Sequence, residues 1–271
     1  MGGHSHWAGI KHKKAVVDAK RGKIFTKIIK EITIAAKLGG GDADSNPRLR
    51  TAIEAAKNAN MPQDNIKRAI MRGTGQLPGT NYEDITYEGY GPCGIAILIE
   101  ITTDNKNRSF SEIRKIMETR GGNIGTSGCV SWIFEKKGYI TVERGEINEE
   151  KLMDLAIELG AEDFKSSQKF YEIITLPDNF EAVRGGLESK KIKINTAEIT
   201  MLPKNEVKVD RDKAKQVIDL MNALEDHDDV KNVYSNFDIP DEVLAELDEC
   251  CLLYTSPSPR DLSTSRMPSS A

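Results

Sequence analysis

No apolar run in the sequence approaches the roughly 20 residues that cross a bilayer, and the N-terminus lacks the apolar stretch of a secretory signal. Membrane association is therefore not expected, and the chain should stay in the cytoplasm where it is made. Cysteine is scarce and scattered. Cys93, Cys129, Cys250 and Cys251 contain no CxxC pair, and the adjacent pair is sterically awkward to join to itself. That usage fits a reducing compartment and offers neither a disulfide framework nor a zinc-binding cysteine pattern. Also missing are a GxxxxGK[ST] phosphate loop, a GxSxG nucleophile elbow and an HExxH helix. Nothing anchors catalysis, so the chain is expected not to be an enzyme and to need no cofactor.

Two weaker patterns lead the same way. Gly89-Tyr90-Gly91-Pro92-Cys93-Gly94 matches GxGxxG, but a dinucleotide site needs that loop to join a strand to a helix, and here it lies between two strand-like runs. It reads as a tight turn. His4, His6 and His12 have ion-sharing spacing, yet no Cys, Asp or Glu follows until Asp18, so no metal is expected and the histidines read as polar members of a binding arm.

Against these absences stands an uneven charge. The formal net charge is −4. Residues 1–72 carry 15 Lys and Arg against 6 Asp and Glu, whereas residues 73–249 carry 21 against 35. A basic head on an acidic body is the asymmetry of a protein that meets phosphate through one region only.

That head is helical by pattern. Phe25, Ile28, Ile32, Ala35 and Ala36 recur at helical spacing between Lys23 and Leu38, and Gly39-Gly40-Gly41 ends the element. A short helix near Ala15–Ala19 is expected before it. Asp44 or Ser45 is the expected cap of the next helix, with Pro47 in its first turn, and Pro62 opens a third that ends near Gly73. Beyond residue 81 the grammar changes. Strand-like runs at 85–90 and 95–102 precede a helix over 107–120 and a strand near Cys129–Phe134. Residues 139–202 then read strand, helix, strand, strand, helix, strand, the order of a ferredoxin-like sandwich. A last helix (211–224) and strand (230–237) would complete a second sandwich around the inserted one; two consecutive domains with those elements packed peripherally is the alternative.

The expected fold class is thus α+β, an N-terminal all-helical domain followed by two ferredoxin-like α/β sandwich domains, one inserted in the other. The expected domains are a basic helical unit over 1–78 with a mobile arm at 1–22, a discontinuous α/β domain over 79–136 and 204–249, and an inserted βαββαβ domain over 137–203. Residues 250–271 are Ser- and Pro-rich without periodicity and read as an unstructured tail resembling adapter read-through.

The candidate site lies in the head. His4, His6, Trp7, Lys11, His12, Lys13, Lys14, Lys20 and Arg21 form a basic arm with one aromatic available for stacking. At about 100° per residue, Lys23, Lys27, Lys30 and Lys37 fall within about 80° of one another, opposite Phe25, Ile28 and Ile32, so a lysine stripe should face away from the core. Ile34 sits inside that stripe, where a purely solvated face would not want it. Arg48, Arg50, Lys57, Lys67, Arg68 and Arg72 extend the positive surface. Lysines in this set would neutralise phosphates, while the histidines and Trp7 make closer polar or stacking contacts.

At this density of motif the chain resembles the YebC family. The resemblance is carried by GHSHWAGIKHKK from Gly3 to Lys14, DAKRGKIFTKIIKEI at 18–32, GGGDADSNPRLR at 39–50, NMPQDNIKRAI at 60–70, YEGYGP at 87–92 and NFDIPDEVLAEL at 236–247. Gly2 and Cys93 depart from it, the family usually having Ala and Gly there. The resemblance implies a helical N-terminal domain followed by two α/β domains, and a role in regulating gene expression. Family members have been described both as DNA-binding transcriptional regulators and as translation factors acting on the ribosome. No helix here shows base-reading Asn, Gln or Arg gathered at its start, and a flexible His/Trp/Lys arm suits irregular RNA, so ribosomal RNA is the favoured partner and duplex DNA the alternative. A protein-only interaction module through the acidic domains is the third reading.

Overall fold

The computed structural model describes residues 18–79, 81–145, 147–167, 170–240 and 243, with the backbone alone for 18–21. The described residues open on α1 (Asp18–Gly39); the short helix expected near Ala15–Ala19 lies largely outside them. Gly40 ends it in the left-handed region (φ +84°), where glycine carries no Cβ penalty. α2 (Pro47–Asn58) is capped by Asn46 rather than Asp44 or Ser45. The Asn46 side chain accepts from the N–H of Leu49 at 3.1 Å and donates to the carbonyls of Ala35 and Gly40 at 2.8 and 2.9 Å, so one buried amide ties the end of α1 to the start of α2. Asp44 and Ser45 instead close the preceding turn onto Asp42.

α3 (Gln63–Gly73) completes the head, whose core is Ile32, Leu49, Ala52, Ala56, Met61, Ile66 and Ala69. Alanine is frequent there because the helices approach closely. A Cβ on Gly73 would stand 2.4 Å from the carbonyl oxygen of Thr33, so α1 and α3 meet backbone to backbone.

β1 (Glu83–Tyr90) and β2 (Ala96–Thr103) pair antiparallel from Glu83 opposite Thr103 to Tyr90 opposite Ala96. α4 (Lys106–Thr119) and β3 (Asn123–Ile124) follow. Much later, α7 (Arg211–Glu225) and β9 (Val230–Ser235) return to the same unit, giving a sheet ordered β3-β1-β2-β9. Ile97, Ile99 and Ile101 of β2 pack on Ile113 and Met117 of α4 and on Val217, Leu220 and Leu224 of α7. Ala96 and Leu98, on the opposite face, meet Val130, Ile133 and Phe134. β2 is covered on both sides, which is why it reads as a continuous apolar run.

Between these halves lie β4 (Phe134–Glu143), α5 (Glu149–Glu158), β5 (Ala161–Ser166), β6 (Phe170–Thr175), α6 (Phe180–Ser189) and β7 (Ile194–Pro203). Their antiparallel sheet is ordered β5-β6-β4-β7, with α5 and α6 burying Leu152, Ala156, Val183 and Leu187 on Ile140, Val142 and Ile173. This is the ferredoxin-like order. A short parallel pair, β8 (Val207–Lys208) with β10 (Phe237–Asp238), lies where the chain leaves and re-enters. Among the described residues no helix is long and apolar enough to cross a membrane.

Candidate nucleic-acid interface

Three lysines of α1 reach across to the end of α7. Lys23 Nζ donates to the carbonyl of Asp226 at 3.0 Å, Lys27 to that of Glu225 at 2.6 Å and Lys30 to that of Asp228 at 2.9 Å. The last carbonyls of a helix have no partner within it and carry the negative end of its dipole, so Lys23 and Lys27 cap the C-terminus of α7 and Lys30 holds the turn that follows it. Lys30, 8% exposed, also pairs with Asp229 at 2.6 Å and lies over the Tyr82 ring. The expectation of a stripe turned to solvent is corrected for Lys27 and Lys30, while Lys23 and Lys37 remain exposed. α1 is buried on two faces, the apolar one against α2 and α3 and the lysine one against the β-sheet unit, and Ile34 at 3% exposed belongs to the second.

Asp229 is the centre of that junction. Its Oδ2 accepts from Ser109 Oγ at 2.6 Å, Arg108 at 3.0 Å and Thr103 Oγ1 at 3.3 Å, while Oδ1 takes Lys30. Burial alone would push its carboxyl up; hydrogen bonds from Lys30, Ser109 and Arg108 outweigh this and hold it well below the usual carboxylate range. Glu112, His227 and Asp229 offer ligand atoms within 4.8 Å of one another. With two cationic side chains already on Asp229, a divalent ion there would meet positive charge in its own shell, and the trio serves the junction instead.

Arg48 is likewise engaged. It forms a two-pronged pair with Glu31, at 2.8 and 3.1 Å, and reaches Asp84 of β1 at 2.7 Å; Lys231 of β9 joins the same Glu31 at 2.9 Å. Glu31 is partly buried, which raises its carboxyl, but Arg48 and Lys231 prevail and lower it. Arg50, Lys57, Lys67, Arg68 and Arg72 behave differently: all are exposed on α2 and α3, and none of the five forms an ion pair among the described residues. Among the described residues they are positive charge of the head that no acid answers. His4, His6, Trp7, Lys11, His12, Lys13 and Lys14 lie outside the described residues, and the side chains of Lys20 and Arg21 are likewise not described.

A second feature has no counterpart in the sequence pattern. Glu88 of β1 is 6% exposed, and its carboxylate accepts the backbone N–H groups of Gly128, Val130 and Ser131 at 2.7, 2.8 and 2.8 Å. Burial raises this carboxyl, yet the three N–H groups win and lower it. This replaces the strand expected near Cys129–Phe134: with those N–H groups turned onto a side chain, residues 125–130 join no ladder, Ser131–Ile133 forms a 3-10 turn, and β4 starts only at Phe134. An alternation pattern registers side chains, so a carboxylate that captures backbone leaves no trace in it. Glu88→Gln should cost roughly 2–3 kcal/mol in urea unfolding, because a neutral amide accepts these donors more weakly, and should speed amide exchange at Val130 and Ser131.

The GxGxxG match joins β1 to β2, as its flanking runs imply, and presents no α-helix N-terminus to a pyrophosphate. Cys93 within it stands at φ +62°, ψ +13°, a left-handed conformation that glycine adopts freely. Cys93→Gly should raise stability by about 0.5–1 kcal/mol, the relief of Cβ strain exceeding the added unfolded-state entropy, as read from the urea midpoint at constant slope.

Family models match most of this architecture. Residues 5–76 match the TACO1/YebC protein N-terminal domain, and residues 82–237 match the TACO1/YebC second and third domain. The chain belongs to the TACO1/YebC family. A TACO1/YebC relative from Elusimicrobium minutum, described as a probable transcriptional regulatory protein, is 58% identical over 248 residues, covering 91% of this chain and 99% of the relative. One from Dictyoglomus turgidum with the same description is 56% identical over 248 residues, covering 91% and 100%. The crystal structure of a conserved hypothetical protein from Aquifex aeolicus superposes with a TM-score of 0.76 at 51% identity, covering 88% of this chain and 99% of that one.

Proposed function

We propose that this TACO1/YebC protein is a non-enzymatic regulator of gene expression that binds nucleic acid through its helical head, and that it works as a translational activator on the ribosome by contacting ribosomal RNA. The observation that carries the reading is the set of cations Arg50, Lys57, Lys67, Arg68 and Arg72, exposed and without an ion pair among the described residues, on one helical unit of an otherwise acidic chain. The basic residues 11–14, with Trp7 and the three histidines, add a segment suited to irregular RNA, where exposed bases stack on aromatics. Lys23, Lys27 and Lys30 orient the head rather than grip phosphate, and the acidic domains fix its direction or meet protein.

A DNA-binding transcriptional regulator is the second reading, favoured by the relatives' descriptions and by α2 and α3 themselves. These are joined by four residues with Asn60 in the left-handed region (φ +57°), a helix-turn-helix connection, and Lys67 and Arg68 are exposed in the middle of α3, although base-reading side chains are not gathered at its start. Co-sedimentation with ribosomes at rising salt, for the intact chain and one lacking residues 1–17, tests the choice against binding to duplex DNA. Salt-sensitive association that weakens on truncation supports the translational reading. Tight duplex binding without ribosome association overturns it.

A further inference from the structure

The loop that Glu88 holds carries an aromatic pair at the surface. Trp132 is 63% exposed and Tyr90 36%. Both polar handles are turned inward onto one acceptor: the indole N–H donates to the carbonyl of Cys129 at 3.0 Å, and the Tyr90 hydroxyl donates to the same carbonyl at 3.1 Å. Both side chains are thereby tethered to one carbonyl, their donor groups used and much of their ring surface left to water. The mount is rigid, since the segment below is pinned by three N–H bonds to a buried carboxylate.

The loop and the turn beside it carry no charged residue of their own, the Glu88 carboxylate being buried beneath. In a chain that is 30% charged, neither residues 121–134 nor residues 89–99 contain a single Lys, Arg, Asp or Glu. Thr126 and Ser127 of this loop and Asn123 of β3 are exposed, and their side chains make no hydrogen bond among the described residues. A phosphate has nothing to hold here. A base does: a fixed ring to stack on and neutral donors and acceptors for its edge.

We propose that the loop between β3 and β4 is a stacking site for an unpaired base of a bound nucleic acid, with Trp132 as the platform, Tyr90 as its neighbour and Asn123, Thr126 and Ser127 as groups for the base edge. The inference rests on the nucleic-acid reading above and adds a contact outside the basic head. Size favours a base over a protein partner. The exposed parts of the two rings amount to about one aromatic side chain, on the order of 150–250 Å², against the ~800 Å² per partner of a stable protein interface. The division of labour is a common one, with cations on α2 and α3 positioning the backbone and an uncharged aromatic loop taking a base.

The test uses the full chain with Trp7→Phe, which leaves Trp132 as the lone indole of the two in the sequence. A short unstructured RNA oligonucleotide should quench its emission. By anisotropy of labelled RNA, Trp132→Ala should bind about tenfold more weakly with an unchanged salt slope, and Trp132→Phe should keep most of the affinity. An unchanged urea midpoint separates a loss of stacking from a loss of folding. RNA binding with unquenched emission and full affinity of Trp132→Ala overturns the stacking site while leaving the nucleic-acid reading intact. Binding to duplex DNA alone overturns the stacking site too, and binding to no nucleic acid overturns both.

Discussion

Asp229→Ala lowers the unfolding free energy by about 3–5 kcal/mol, the usual consequence of removing one member of a buried ion pair and leaving the other charge unanswered. The stranded group is Lys30, at 8% exposed, whereas Arg108 sits at the rim and returns to water. Replacing both members with apolar residues, Lys30→Met with Asp229→Leu, should recover most of the loss, because the penalty belongs to the orphaned charge rather than to missing attraction. Urea unfolding measures both. Acid gives an independent reading. The Asp229 carboxyl is held below its unfolded value, so its contribution is present in full above about pH 4 and is lost as pH falls from there toward the depressed folded value. In Asp229→Asn that part of the acid sensitivity should disappear. A wild-type acid response in this variant would remove the residue from the centre of the junction.

Charge removal on α2 and α3 has the second large effect, on binding. Every phosphate that is no longer neutralised flattens the dependence of log affinity on log salt by about 0.7 for single strands and 0.9 for duplex DNA. The combined Arg50→Ser, Lys67→Ser, Arg68→Ser and Arg72→Ser variant should therefore lower the slope by up to about 3 and weaken binding at moderate salt by a hundredfold or more. Folding should be nearly unaffected, since these side chains are exposed and form no ion pair among the described residues. Lys30→Ala makes the contrast, losing stability before it loses salt slope. If the four-fold variant binds with wild-type slope, the phosphates are held elsewhere, with the basic residues 11–14 the first alternative.

The sequence alone determined the order and type of most elements and the division into a basic head and an acidic body, but left open whether the last helix and strand rejoin the first sheet, where β9 lies beside β2. Helical spacing, glycine stops and strand alternation act over a few residues, so they are visible before folding. The cap of α2 lies one or two positions beyond the expected one because Asp44, Ser45 and Asn46 are all good caps, and only contact with the end of α1 selects Asn46.

Tertiary structure decided what the charged residues do. An exposed lysine stripe and one that caps another helix have the same spacing; the difference is that α7 ends about 200 residues away in sequence at the same point in space. Asp229 and Glu88 are invisible in the sequence for the same reason. Acids in an acidic region read as solvated surface, and it takes Lys30, Arg108 and Ser109 around one, and the backbone of residues 128–131 around the other, to make each a buried centre. Burial and partnership set the role of a charge, and both are properties of the folded chain.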